Sequence, residues 1–61
     1  MYSKYAELRD RKGVNDATVA KETGIAPSII YDWKAGRSNP KTDKLKKLAE
    51  YFGVSIEELI E

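Results

Sequence analysis

Four glycines, at positions 13, 24, 36 and 53, divide this 61-residue chain into segments that have room only for short helices and tight connections. Each follows a stretch of helical character, where the first residue past a helix end adopts a left-handed conformation that glycine tolerates best. No segment between them alternates apolar and polar residues as a strand does. The expected fold is all-α, a compact bundle of five short helices forming one domain over residues 1–61. That length is near the lower limit at which a chain buries enough surface to fold unaided.

The first helix is expected over Ser3–Lys12, burying Tyr5 and Leu8 at i, i+3 spacing, with Val14 entering the core just after Gly13. Asn15 is suited to cap a second helix, Asp16 to complement its dipole, and Val19, Ala20 and Thr23 make an inward face. Ile25 plugs the corner after Gly24. Pro27 then suits the first position of a third helix, because its φ is already helical and its missing N–H has no partner there anyway. Ile30 and Trp33 point inward from that helix, Gly36 stops it, and Arg37–Lys41 form a polar, partly basic loop. A fourth helix over Thr42–Phe52 turns Leu45, Leu48, Ala49 and Phe52 inward. Ser55 and Glu58 have the spacing of a reciprocal capping box, which starts a last helix at about Ile56.

The chain has no cysteine and no histidine, which excludes disulfide staples, thiolate zinc sites and imidazole acid–base chemistry. No metal or cofactor is expected. Asp10, Asp16 and Asp43 sit near helix ends, where capping explains them better than catalysis, and no nucleophile or metal set accompanies them, so an enzyme is not expected. No apolar run approaches the roughly 20 residues of a membrane span, and the expected location is the cytoplasm. The net charge is only +1, but its distribution is uneven. Residues 1–47 hold eleven Lys or Arg against six Asp or Glu, whereas residues 48–61 hold four glutamates and no cation. A basic body with an acidic end suggests a side that faces a polyanion.

The link from Thr23 to Pro27 is too short to lay two helices antiparallel and forces a steep crossing, which is the geometry of a helix-turn-helix. NDATVAKETGIAPSIIYDWKAGRSNP, followed by LKKLAEYFGVSIEELI, resembles the lambda-repressor-like helix-turn-helix of phage and bacterial repressors, the xenobiotic-response-element type. The resemblance runs through Ala20, Gly24-Ile25, Ile30, Trp33, Gly36, Pro40 and the Leu-Ala-x-x-Phe-Gly-Val-Ser run with Leu59, in order and at the family's spacing. It implies sequence-specific binding of double-stranded DNA by a repressor-type transcriptional regulator. Helices 2 and 3 would be the DNA-binding pair, with the recognition helix at about Pro27–Ala35 in the major groove.

The base-facing positions implied by the resemblance are Pro27, Ser28 and Asp32, with Tyr31 beside them. Burial of Ile30 and Trp33 independently leaves the same four residues on the free face. Ser28 can donate to or accept from a base edge, and Asp32 can accept from a cytosine amino group or orient a neighbouring cation. Tyr31 can lie on a thymine methyl, bond a phosphate or pack on the surface. Phosphate contacts are expected at the start of the second helix near Asn15 and along the loop at Arg37, Ser38, Asn39 and Lys41, with Arg9, Lys34 and Lys44 as further candidates. Two positions depart from the family's pattern. Many members carry a glutamate at the place of Lys34 that pairs with an arginine at the place of Arg9, so two like charges are expected to splay into solvent or reach for phosphate. Asp16 stands where a phosphate-contacting polar residue is common.

Family members pair on two half-sites, so a homodimer on a pseudo-palindromic operator is expected, with Ile56 and Ile60 of the last helix as the dimerisation contacts. The competing expectation is a protein-interaction module, antitoxin-like or an adaptor, that keeps this fold and uses Tyr31 and Ile29. The absence of Gln, Asn or Arg on the third helix favours it.

Overall fold

A computed structural model describes residues 2–60, which form five helices and no strand. They are α1 (Tyr2–Lys12), α2 (Asp16–Thr23), α3 (Pro27–Lys34), α4 (Thr42–Phe52) and α5 (Ile56–Ile60). The expected all-α bundle is what forms, with α1 beginning one residue earlier than its apolar spacing suggests. Only the Ser55 half of the capping box is made among the described residues, the Glu58 N–H donating to Ser55 Oγ at 3.3 Å.

The core is continuous. Tyr5, Leu8, Val19, Ala20, Ile25, Ile30, Trp33, Leu48, Ala49 and Leu59 are buried, and Val14, Leu45, Phe52, Val54 and Ile56 pack around them half-buried. Tyr5, fully excluded from solvent, lies at the centre of this set. Its ring meets the edge of Trp33 from α3 at 6.2 Å and Phe52 from α4 at 5.9 Å between centroids. Such tilted aromatic pairs add about 0.5–1.5 kcal/mol beyond the area they bury.

A buried tyrosine must satisfy its hydroxyl, and here the partner comes from the next helix. Tyr5 Oη donates to Asp16 Oδ1 at 2.7 Å, and Arg9 Nη1 donates to the same oxygen at 2.9 Å. Arg9 also donates to Asp10 Oδ1 through Nε at 3.0 Å and to the Tyr2 hydroxyl at 3.1 Å. The two bonds to Asp16 fasten α1 to the start of α2. Burial pushes the Asp16 carboxyl upward, but the hydrogen bonds from Arg9 and Tyr5 and the charges of Arg9 and Lys34 outweigh it and hold the group below the usual carboxylate range. Burial, together with the bond to Asp16, drives the Tyr5 phenol far above its ordinary value.

The turn between α2 and α3 is closed by its own residues. Gly24, at φ 77°, donates its N–H to the Ala20 carbonyl at 2.9 Å and ends α2. Thr23 Oγ1 donates to the Val19 carbonyl at 2.7 Å and accepts the Ile25 N–H at 3.3 Å, while Ile25 fills the corner. Ala26 offers no side-chain cap to α3, and Pro27 at its start removes one of the N–H groups that lacks a partner there.

After α3 the chain reverses through Gly36 at φ 76°. Gly36 N–H bonds the Trp33 carbonyl at 3.1 Å and Arg37 N–H bonds the Asp32 carbonyl at 2.9 Å, a paired closure that needs a left-handed residue at position 36. A Cβ at Gly36 meets nothing within 4 Å, so substitution there costs backbone strain alone. Gly36→Ala is expected to lower stability by about 1 kcal/mol, read as a lower denaturation midpoint with an unchanged denaturant slope.

A second prediction concerns acid. Because the folded state holds Asp16 below its unfolded value, the stability this group adds is complete above about pH 4 and is lost as pH falls through the lower folded value. Asp16→Asn is expected to cost about 1 kcal/mol at neutral pH, a figure discounted for the partial exposure of the pair. The gap between parent and variant narrows on acidification. Denaturant melts of both chains across the acid range measure it, and a gap constant with pH contradicts the assignment.

Candidate nucleic-acid interface

With Ile30 and Trp33 anchored in the core, α3 turns Pro27, Ser28 and Tyr31 outward, and Tyr31 is 60% exposed. The Asp32 side chain is 43% exposed and lies at the end of this face. The four residues predicted to face bases therefore share one surface. None of the four is cationic. A positive charge reaches them from the following loop.

That cation is Arg37. Its Nε donates to Asp32 Oδ1 at 3.2 Å, and its guanidinium carbon stands 5.2 Å from the centre of the Tyr31 ring. Within the folded chain the Asp32 carboxylate thus lies beside a cation, the contact that the second of its two expected roles requires. The stacking of Arg37 on Tyr31 is not among the expectations from sequence. The signal for it is Gly36: a left-handed residue just past α3 folds position 37 back over position 32.

The rest of the loop, Ser38, Asn39 and Lys41, is exposed beside this face. It bounds a shallow groove of about 240 Å³ floored by Ile29, Trp33 and Pro40. Lys44 flanks the groove and lies 3.7 Å from Asp43 within its own helix, so its charge is partly offset. Lys34 is exposed on α3.

Around the start of α2 the geometry is more constrained. Asn15 caps the helix as expected, its side-chain oxygen accepting the Thr18 N–H at 2.9 Å, and the residue is exposed. Arg9, only 19% exposed in its side chain, is engaged with Asp16, Asp10 and Tyr2. The like charges of Arg9 and Lys34 have between them a counter-charge that their spacing in the sequence does not reveal. Asp16 supplies the carboxylate from α2, in contact with Arg9 and within the field of Lys34. The reason is spatial: the first residue of α2 sits against the middle of α1, so a carboxylate there reaches the arginine that α3 does not satisfy.

At the other end, Leu59 is wholly buried and Ile56 packs half-buried on the core, while Ile60 is 57% exposed. Of the two residues expected at a dimer contact, Ile60 offers the larger free surface. No helix among the described residues is long and apolar enough to cross a membrane, and none of their acidic side chains cluster as a metal-binding group.

Known proteins share this arrangement of residues. Residues 6–59 match the helix-turn-helix family. The chain is 33% identical over 58 residues to the cryptic phage CTXphi transcriptional repressor RstR of Vibrio cholerae, a match covering 95% of this chain and 52% of that protein. It is 34% identical over 58 residues to the uncharacterised HTH-type transcriptional regulator y4dJ of Sinorhizobium fredii, covering 95% of this chain and 75% of that one. The HTH-type transcriptional activator BcrR of Enterococcus faecalis is 28% identical over 57 residues, 93% of this chain and 28% of its own length. The chain therefore spans about half of RstR and a smaller part of BcrR. No solved structure gives a significant match. The anchored third helix, the Gly24-Ile25 turn and a match across nearly the whole chain lead to one conclusion: the chain belongs to the helix-turn-helix family, in its lambda-repressor-like form shared with bacterial and phage transcriptional regulators.

Proposed function

We propose that residues 1–61 are the DNA-binding domain of a transcriptional regulator that occupies an operator and represses the adjoining promoter. The observation that carries the reading is the construction of α3. Ile30 and Trp33 fix it from behind, its outward face is small and polar, and the Arg37 side chain closes onto the end of that face. In this reading α2 crosses the phosphate backbone and α3 lies in the major groove of double-stranded DNA. Pro27 and Ser28, at the helix start, meet base edges: Ser28 by hydrogen bonding and Pro27 by apolar contact.

Affinity comes chiefly from the surrounding cations and N–H groups, since phosphate contacts set binding strength and base contacts select sequence. Arg37, Ser38, Asn39 and Lys41 lie along one strand, with Lys34 and Lys44 beside them. Asn15 and the first N–H groups of α2 meet a phosphate on the other side of the groove. Arg9 contributes by holding the start of α2 in place through Asp16. With so few base-reading groups on α3, part of the selectivity rests on the shape and deformability of the duplex.

Replacing both Arg37 and Lys41 with alanine tests this. DNA affinity is expected to fall, and the slope of log affinity against log salt to flatten by about 0.9 for each phosphate that the variant no longer neutralises. A parent chain that binds no duplex at low salt, or binds all sequences equally, sinks the reading. Partner-protein binding unaffected by the same double substitution would instead support the interaction-module alternative.

Two copies are expected to bind successive half-sites through their last helices, with recognition helices about 34 Å apart. Ile60, the exposed apolar residue of α5, is the contact, with Ile56 backing it from the core side. Ile60→Ser is expected to weaken binding to a two-half-site duplex about tenfold and to leave single half-site binding unchanged. Equal effects on both duplexes would place the pairing contact elsewhere.

A further inference from the structure

Arg37 is held in three ways by the end of α3. Its main-chain N–H bonds the Asp32 carbonyl at 2.9 Å, its Nε donates to the Asp32 carboxylate at 3.2 Å, and its guanidinium lies over Tyr31 at 5.2 Å. The side chain is nonetheless 60% exposed, and its two terminal nitrogens have no partner among the described residues. We propose that Asp32 and Tyr31 are positioning residues that hold Arg37 so that Nη1 and Nη2 present a fixed fork to a pair of acceptor atoms on DNA. The inference rests on the DNA-binding reading above and assigns Asp32 and Tyr31 a task other than direct contact with a base.

The physical case has three parts. A free carboxylate on a face that meets phosphates is repelled, whereas one bonded to Nε is neutralised by the very group it aims. An exposed arginine loses rotamer freedom when it binds, and a planar guanidinium already stacked and tethered loses less of it. Occupation of Nε also removes the side-on edge of the guanidinium and leaves the end-on edge, whose two nitrogens match the oxygens of a phosphate or the O6 and N7 of guanine.

The test is duplex binding by the full chain carrying Asp32→Ala, Arg37→Ala, both together, Tyr31→Phe or Tyr31→Ala. Asp32→Ala is expected to weaken binding about two- to fivefold although it removes a negative charge from a face that meets a polyanion. In the Arg37→Ala background the same change should weaken it no further. Tyr31→Phe keeps the platform and should lose much less affinity than Tyr31→Ala, whose loss should be on the scale of Asp32→Ala. All of these residues are at least partly exposed, and thermal melts confirm that each variant is folded.

The pattern of loss separates the two acceptor sources. A uniform loss across duplex sequences assigns the fork to phosphate, and a loss confined to duplexes with guanine at one position assigns it to a guanine edge. Tighter binding by Asp32→Ala, or an equal loss in both backgrounds, overturns the positioning role of Asp32. A Tyr31→Phe loss as large as that of Tyr31→Ala overturns the platform, because the hydroxyl then makes the contact. If the parent binds no duplex at low salt, the DNA-binding reading itself fails and the fork fails with it. A parent that binds normally confines any failure to the positioning.

Discussion

The hydrogen bond from the Tyr5 hydroxyl to Asp16 is the contact on which the arrangement of the other helices depends. Tyr5 is wholly buried, and its ring touches Trp33 of α3 and Phe52 of α4. Its hydroxyl bonds the first residue of α2. One side chain of α1 thus meets three other helices, and its polar tip requires the carboxylate to be where it is. A buried hydroxyl left without a partner costs on the order of 1–3 kcal/mol, a large share of the stability of a domain this small. Arg9 completes the arrangement by neutralising the charge that Tyr5 needs beside it.

This network has a consequence for recognition. The helix-turn-helix works only if α2 and α3 are held at a constant mutual orientation, and neither has an extensive core of its own. Val19 and Ala20 come from α2, Ile30 and Trp33 from α3, and Ile25 fills the corner between them. Asp16 fixes the start of α2 to α1 while Trp33 fixes the end of α3 to the same tyrosine. The pair is therefore clamped at its two far ends as well as at its turn. The place of the family's more usual carboxylate partner for Arg9, on α3, is taken by Lys34, and the carboxylate comes from α2 instead.

Much of the fold was legible in the sequence because it depends on local rules. The glycines, Pro27 and the capping Asn15 mark helix ends through backbone sterics and orphan N–H groups, which neighbouring residues alone decide. The inward positions followed from the helical period: Tyr5, Leu8, Val19, Ala20, Ile30, Trp33, Leu48 and Ala49 are buried and Thr23, Leu45 and Phe52 half-buried, while Ile25 fills the corner from the link. The outward face of α3 followed in turn, since it is what remains once Ile30 and Trp33 point inward. The candidate site was less legible because its charged groups are paired across elements. Nothing in the spacing of Arg9 and Asp16, or of Tyr31 and Arg37, states that these side chains meet.

The sequence by itself determined the class of fold, the helix boundaries to within a residue, the helix-turn-helix pair and the residues free to face a partner, because each follows from short-range periodicity and backbone geometry. Only the tertiary structure decided which charges are available. It engages Arg9 with Asp16 inside the domain, and it ties Arg37 to Asp32 and Tyr31 on the surface with its terminal nitrogens still exposed. The reason is that an ion pair depends on distance in space, and distance in space is set by how the helices pack.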